Sequence, residues 1–423
     1  MTIGVAVRLK TVNKMKSING TQVLGIVAEY NPWHMGHKYQ LEESMKLCGA
    51  EYSVGIMNGD FTQRGEPAVL DKWARAGMAL AGGLDLVLEL PFYFGCNSAE
   101  FFASGAVDLA AATGTITHLG FGSESGDVET IKNVAKFLAD EPLEFQNALA
   151  EKMKTGVSFP RARMEVLSGF LGSNAANLLA SPNNILAVEY VKQLYKLGSN
   201  ITPVTVKRTG GGYNDENWCQ IASATAIRKV LRQMADSCDV SEKNCLQRKL
   251  EEMVPKETYQ GLMENFDRLV FKDNQKFYDL VRYRLLENKD LSQIFSAAEG
   301  IENAFIKNVR KSQSLEDLLG QVKSKRYTYA GLSRVAAHMV MGFEKNHNKP
   351  KYIRVLGFNE RGRDVLKMIK ANLAEGYELV TNANKANSDL SLDIKASDMY
   401  NLISEQDLYK KSDYLMRPVM SLD

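Results

Sequence analysis

An alternation of apolar strands and helices in the first half of the chain constrains its fold more than any other sequence feature. Continuous apolar runs such as VLGIVAEY (23–30), YSVGIM (52–57) and DLVLEL (85–90) are each followed by a loop and a segment with helical periodicity. Unbroken apolar strands that alternate with helices are typical of a parallel sheet covered on both faces. The pattern therefore predicts a doubly wound α/β domain.

The alternation continues to about residue 208, where we expect the sheet to end. Further strands are predicted over 116–122 and 201–208. Helices are predicted over 38–47, from Asp71, over 99–112, within 129–172, over 183–197 and over 222–235.

Strands become scarce after residue 235, and helical periodicity dominates. The predicted helical stretches are 256–285, 290–310, 329–345 and 360–374, with one strand-like segment, YIRVLGF (352–358). A chain of 423 residues fits two domains better than one. We predict an N-terminal extension (1–20), a Rossmann-like domain (21–235) and a mostly α-helical C-terminal domain (236–423).

The composition argues against several classes of protein. The chain is 45% hydrophobic and 24% charged, which is typical of a globular protein rather than a disordered one. Its five cysteines lack CxxC or zinc spacing, so we expect reduced, structural cysteines and no metal site. No apolar run approaches the roughly 20 residues that span a bilayer, and no signal peptide is recognisable. We therefore expect a cytoplasmic protein.

The segment NPWHMGH (31–37) lies where the first strand ends and the first helix begins. Open α/β sheets bind ligands at that edge. Gly36 would let the backbone approach a phosphate, and His34 and His37 can both point at phosphates near the positive end of the helix. Because transfer at phosphorus builds charge on the surrounding oxygens, preorganised donors there would stabilise the transition state. A chance pair of solvated or capping histidines is the alternative.

A second segment, IASATAIR (221–228), begins a helix with hydroxyl side chains at its start. Ser223 and Thr225 could cap the helix or bind an anion, and Arg228 follows three residues after Thr225. Taken alone, the segment is typical of an N-capped helix with a solvent-exposed arginine. Paired with the two histidines of the same α/β unit, it indicates a second site for phosphate.

Several blocks of the sequence resemble one bacterial enzyme family. They are GIVAEYNPWHMGHKYQLEES, GDFTQRGEPAV, LGFGSE, SPNNILAVEYV, VTVKRTGGGYND and ASATAIRK, with weaker likeness in KRYTYAGLSR and YIRVLGFNERGR. Together they resemble the tRNA(Met) cytidine acetate ligases of the HxGH nucleotidyltransferase superfamily, over nearly the whole chain after residue 20. Trp33 and Met35 stand where that family has phenylalanine and asparagine, but both histidines are present.

The resemblance implies a two-step ligase reaction. ATP and acetate would form acetyl-adenylate and diphosphate, and N4 of the wobble cytidine of elongator tRNA(Met) would then take the acetyl group while AMP leaves. The product would be N4-acetylcytidine, and acetyl-CoA would not be needed. Mg²⁺ would arrive with ATP, held by few protein ligands. The resemblance implies neither a membrane nor an obligate protein partner.

The resemblance also implies roles for particular residues. His34 and His37 would stabilise the transition state at the α-phosphate, while Arg228 would hold the departing diphosphate together with Ser223 and Thr225. The implied ATP-binding residues are Val27, Asn31, His34, Gly36, His37, Gly122, Asn183, Arg208, Thr209, Ser223 and Thr225.

Two other groups of residues have an open interpretation. Asp60 and Arg64 follow the second strand, where the loop could seat acetate or cytosine, or could be a turn with charges facing water. Lys325, Arg326 and Arg334 lie among tyrosines, a mixture that suits RNA backbone neutralisation and base stacking but also an ordinary solvated face. The resemblance favours tRNA contact for the second group.

Two other functions are compatible with these motifs. A small-molecule adenylyltransferase of the nicotinamide or pantetheine type would share the HxGH and Ser/Thr-x-x-Arg patterns, but such enzymes are commonly shorter. A non-catalytic RNA-binding protein could retain the nucleotide fold, although the intact histidines and Arg228 argue against it.

Overall fold

A computed structural model describes residues 20–208, 222–287, 290–298 and 300–421 of the chain. A mostly parallel sheet lies at its centre, with helices on both faces, as the sequence predicts. The strands are β1 (Val23–Ala28), β2 (Tyr52–Asn58), β3 (Leu86–Leu90), β4 (His118–Ser123), β5 (Thr202–Lys207), β6 (Tyr352–Phe358), β7 (Glu378–Val380) and β8 (Val419–Met420).

The helices of the first half follow the predicted alternation. They are α1 (Met35–Cys48), α2 (Lys72–Ala81), α3 (Phe92–Gly95), α4 (Ala99–Ala112), α5 (Val128–Asp140), α6 (Leu143–Lys154), α7 (Phe159–Asn177), α8 (Pro182–Leu197) and α9 (Ala224–Asp236). Side-chain oxygens of Asp71, Ser98 and Asp127 accept backbone N–H groups at the starts of α2, α4 and α5. Polar residues of these types satisfy donors that a helix start leaves unpaired.

The second half contains more helices than strands. They are α10 (Val240–Met253), α11 (Lys256–Glu264), α12 (Gln275–Leu286), α13 (Ile301–Asn308), α14 (Leu315–Val322), α15 (Tyr329–Met341), α16 (Glu360–Asn372) and α17 (Ser391–Ile403). The predicted helix over 290–310 is wrong in its first part, because residues 290–298 form turns and α13 begins after Gly300. No helix in the described parts of the chain is long and apolar enough to cross a bilayer.

Strand order places the C-terminal strands beside β3. The order is β5-β4-β1-β2-β3-β6-β7, with β8 paired to β6. The strands β1 to β5 pair in parallel, and β6 pairs antiparallel with β3. The expectation that the sheet ends near Arg208 is therefore wrong. The edge of β3 would otherwise leave backbone groups unpaired, and the apolar strand β6 covers it.

A buried group of charges joins the C-terminal segment to the sheet. The Lys72 ammonium on α2 lies 2.8 Å from a carboxylate oxygen of Glu89 on β3 and 2.7 Å from one of Asp413. Arg354 on β6 donates to the same Asp413 oxygen at 2.7 Å. All four side chains are at most 3% exposed. Buried charges that are paired in this way become costly when one partner is removed.

We expect Lys72→Met to lower the free energy of unfolding by about 3–5 kcal/mol, because it leaves Glu89 and Asp413 short of a buried partner. Urea unfolding measures the change. Lys132→Met is the control, since Lys132 makes an exposed pair with Glu129 on α5 and such pairs contribute about 0–1 kcal/mol. Equal losses in the two variants would contradict a role for the buried charges.

Candidate active site

The turn between β1 and α1 holds the two histidines of the HxGH segment in place. His34 is the N-cap of α1, and its Nδ1 accepts the Gly36 backbone N–H at 3.0 Å. Nδ1 of His37 accepts the backbone N–H of His34 at 3.3 Å, so the two side chains cap the helix reciprocally. Their rings stack with centroids 3.8 Å apart. Local hydrogen bonding thus orients both rings at the positive end of α1.

Both imidazoles are neutral hydrogen-bond donors near pH 7. Burial, together with the Arg208 and Arg228 guanidinium groups, lowers the pKa of His34 to about 3. Burial, followed by the nearby His34 and Arg208, also lowers the pKa of His37 well below its ordinary value. Because each Nδ1 accepts a backbone N–H, the proton of each neutral ring resides on Nε2. Two Nε2–H groups are therefore preorganised to donate to an anion.

The start of α9 lies against the same turn. The Ser223 hydroxyl accepts the Ala226 backbone N–H at 3.2 Å as the N-cap of α9. Arg228 donates to the Asn31 carbonyl at 2.7 Å and to the Thr225 hydroxyl at 3.3 Å. Arg228 thus links α9 to the HxGH turn, and the starts of two helices converge. Converging helix starts favour a bound anion.

A cavity of about 540 Å³ opens at the carboxyl edge of the sheet, beside a recess of about 90 Å³. Most of the residues expected to bind ATP line the cavity: Val27, Asn31, His34, His37, Gly122, Asn183, Arg208, Ser223 and Thr225. Gly36 lines the recess, which shares His34, Gly122, Arg208 and Ser223 with the cavity. Thr209 lies outside the described residues. Residues from five separate stretches of sequence thus meet at one edge of the sheet.

Gly122, in β4, allows a close approach of the Arg208 side chain. A Cβ atom at Gly122 would lie 3.2 Å from Cγ of Arg208, closer than most real contacts of this kind. A side chain at residue 122 would therefore crowd Arg208, which lines the cavity.

Another part of the cavity wall is built around the start of α8. Both carboxylate oxygens of Glu124 are engaged there, by the Asn183 side-chain amide at 2.7 Å and by the Asn184 backbone N–H at 2.8 Å. The Asn184 side chain in turn accepts the Glu124 N–H at 2.9 Å. This exchange fixes Asn183, which lines the cavity. Glu124 acts here as a helix cap.

The loop after β2 divides into a structural part and a part that faces the cavity. Asp60 is buried, and its carboxylate accepts the Lys72 backbone N–H at 2.7 Å and the Ser397 hydroxyl at 2.6 Å. Asp60 is not among the residues that line the cavity, and each of its carboxylate oxygens accepts a hydrogen bond from another part of the fold. Gln63 and Arg64 do line the cavity.

The basic residues predicted to contact tRNA occupy two different environments. Lys325 and Arg326 are exposed in the segment before α15. Arg334 is half-buried and donates to the Gln63 carbonyl at 3.1 Å. A Cβ atom at Gly65, where φ is +79°, would lie 2.4 Å from the Arg334 backbone nitrogen. Arg334 therefore supports the loop that carries Arg64.

Several cavity residues were not singled out individually from the sequence. Glu29 directly follows β1 at the ligand-binding edge, and that position alone could have identified it. Phe102, Leu186 and Tyr190 lie within helices whose apolar periodicity is indistinguishable from that of core residues. Their place in the cavity depends on how α4 and α8 pack.

A parallel sheet whose carboxyl edge brings together paired histidines and the start of a second helix defines the class of this protein. The family model described as HIGH Nucleotidyl Transferase matches residues 21–414, and the chain belongs to this family of nucleotidyltransferases. The tRNA(Met) cytidine acetate ligase of Clostridium perfringens is 40% identical over 418 residues, 94% of this chain and 99% of the relative. That of Clostridium acetobutylicum is 40% identical over 92% of this chain and 98% of the relative.

A solved structure extends the similarity to three dimensions. Thermotoga maritima TmcAL bound with alpha-thio ATP superposes with a TM-score of 0.83 at 33% identity, covering 95% of this chain and 100% of that protein. Within the HIGH nucleotidyltransferases, the chain is a member of the tRNA(Met) cytidine acetate ligase family, as its sequence blocks indicated. It is a ligase.

Replacing His34 tests whether its ring does more than cap α1. His34→Asn retains an oxygen that caps the helix, so we expect stability near that of the wild type but at least about 100-fold slower nucleotidyl transfer, because the Nε2–H donor is lost. His34→Ala should show the same loss and a free energy of unfolding about 1 kcal/mol lower. Urea unfolding and pyrophosphate exchange measure the two effects. Full activity of His34→Asn would show that the cap alone matters.

The lowered pKa of His34 predicts how stability depends on pH. In the unfolded chain, His34 becomes protonated below its ordinary pKa of 6.5. In the folded chain, it stays neutral until the pH falls to about 3. Stability present above pH 6.5 is therefore lost as the pH falls, by roughly 2 kcal/mol at pH 5 for this one group. Urea unfolding at several pH values between 7 and 5 measures this loss. The free energy of unfolding should fall less with pH in His34→Asn than in the wild type. The same dependence of the unfolding free energy on pH in both proteins would contradict a neutral, buried His34.

Proposed function

We propose that this chain activates acetate with ATP as acetyl-adenylate and transfers the acetyl group to N4 of the wobble cytidine of elongator tRNA(Met). The products would be N4-acetylcytidine, AMP and diphosphate. The observation that carries the proposal is the meeting of His34, His37, Arg208 and Ser223 around one cavity at the carboxyl edge of the sheet. His34 and His37 come from the first of the two expected phosphate-binding segments, Ser223 comes from the second, and Arg208 follows β5. Together they suit a triphosphate.

The geometry supports a catalytic mechanism based on positioning and electrostatics. The Nε2–H groups of His34 and His37 would donate to oxygens of the α-phosphate, where negative charge increases in the transition state. Arg228, with Ser223 and Thr225 at the start of α9, would hold the β- and γ-phosphates until diphosphate leaves. Mg²⁺ would enter bound to ATP and would supply further neutralisation of phosphate charge.

Acetate would need a cation beside the α-phosphate. Arg64 lines the cavity together with the histidines, and its guanidinium group fits a carboxylate. Its loop is held by Arg334 and by the Gln63 N–H, which donates to Glu29 at 2.8 Å. A carboxylate on Arg64 would therefore be presented to ATP by a supported loop.

The tRNA would reach the cavity through its anticodon loop, where a base leaves its stack more cheaply than in a duplex. Lys325 and Arg326 are exposed, and Lys323 lies 5.8 Å from the exposed Tyr329 ring. Basic and aromatic side chains in one segment suit backbone neutralisation and stacking. A tRNA substrate would be met in the cytoplasm, and the proposed reaction requires no protein partner.

The decisive experiment is acetate-dependent exchange of labelled pyrophosphate into ATP, with and without tRNA. We expect exchange that requires acetate and does not require tRNA, because adenylation precedes transfer. His34→Ala and His37→Ala should abolish exchange while tRNA binding, measured by filter retention, remains near the wild-type level.

Other outcomes would separate the remaining functions. Exchange with nicotinamide mononucleotide or phosphopantetheine, but not with acetate, would identify a small-molecule adenylyltransferase. Binding of tRNA and ATP without any exchange would identify an RNA-binding protein. Loss of tRNA binding with preserved adenylation in the histidine variants would contradict the roles given to His34 and His37.

A further inference from the structure

Two carboxylates line the cavity, and only one of them is fully engaged in holding the fold. Both oxygens of Glu124 bind residues at the start of α8. Glu29 uses Oε1 to accept the Gln63 backbone N–H at 2.8 Å, and Oε2 has no hydrogen bond within the parts of the chain that the structure describes. Glu29 therefore has an acceptor available to a ligand.

The position of Glu29 is determined from two sides. Its backbone carbonyl accepts the buried Arg75 guanidinium at 2.7 Å. Its side chain is tied to the loop after β2 through Gln63. Since an anchored carboxylate loses little further freedom when it binds a ligand, this side chain is preorganised.

Part of the cavity wall is formed by apolar and aromatic side chains. Phe102, Leu186 and Tyr190 line the cavity but not the recess shared by Arg208 and Ser223. Tyr190 and Glu29 both line this cavity, and burial, and secondly the Glu29 carboxylate, raise the pKa of the Tyr190 hydroxyl. A planar base could lie against this apolar wall with its polar edge toward the carboxylate.

We propose that Glu29 binds the acceptor amine and takes its proton during acetyl transfer. This inference rests on the proposed function and assigns the second half of that reaction. A carboxylate accepts a hydrogen bond from an exocyclic amine and repels the carbonyl oxygen that uracil carries at the same position. Glu29 would thus orient N4 and favour cytosine.

The transfer step is balanced as follows. The N4 lone pair attacks the acetyl carbonyl carbon of the acetyl-adenylate, and a carbon–nitrogen bond forms. The bond between that carbon and the phosphate oxygen breaks, and AMP leaves with the electron pair. The proton lost from N4 passes to the Glu29 carboxylate, which releases it to water. General-base assistance of this kind contributes about 10²–10⁴-fold to a rate.

The two half-reactions are measured separately in Glu29→Gln. The glutamine carbonyl can still accept the Gln63 N–H, so the loop anchor is retained and only the base is removed. We expect acetate-dependent pyrophosphate exchange within about threefold of the wild type, and single-turnover acetyl transfer from preformed acetyl-adenylate to tRNA at least about 100-fold slower. Glu43→Gln, on the outer face of α1, is the control and should match the wild type in both assays.

The results of the two assays distinguish an error in the role of Glu29 from an error in the proposed function. Wild-type exchange together with full-speed transfer by Glu29→Gln would overturn the assignment of Glu29 and leave the proposed function standing. Loss of exchange in Glu29→Gln would also overturn it, because the residue would then belong to the adenylation step. Absence of acetate-dependent exchange in the wild type would reject the proposed function and this inference together.

Discussion

The buried contact between Lys72 and its two carboxylates connects the parts of this structure that lie far apart in sequence. Lys72 joins α2 to β3 through Glu89 and to the C-terminal segment through Asp413. Its backbone N–H also holds Asp60 at the start of the loop that carries Arg64. One buried residue therefore joins β3 and the C-terminal segment to a wall of the cavity. Removing Lys72 or either of its carboxylate partners would destabilise the fold, since an unpaired buried charge is costly.

A second buried cation positions the edge of the sheet itself. The Arg75 guanidinium donates to carbonyls of Glu29 after β1, Asn58 at the end of β2 and Leu70 before α2. Backbone carbonyls at strand ends would otherwise remain unpaired in a buried place. By binding them together, Arg75 sets the spacing between the HxGH turn and the loop after β2. The cavity lies between those two segments.

The histidines of the HxGH turn combine a structural and a chemical role in each ring. Nδ1 of His34 and of His37 completes the start of α1, which leaves Nε2–H for a ligand. An ionised aspartate would cap the helix equally well but would present no donor to a ligand. A neutral donor also avoids the cost of placing a charge in a buried site before ATP arrives. The protein therefore obtains an oriented donor from the same contacts that begin the helix.

The sequence by itself determined the local features of this protein: the alternation of strands and helices, the HxGH segment and the helix start at Ser223. Each is determined by neighbours within a few residues, so periodicity and capping chemistry reveal it. Tertiary structure alone decided that β6 lies antiparallel to β3, that buried Asp60 accepts the Lys72 N–H, and that Arg334 supports the loop that carries Arg64. Those outcomes depend on contacts such as Lys72 with Asp413, 341 residues apart. No local pattern specifies which distant segment will cover an open strand edge or satisfy a buried charge.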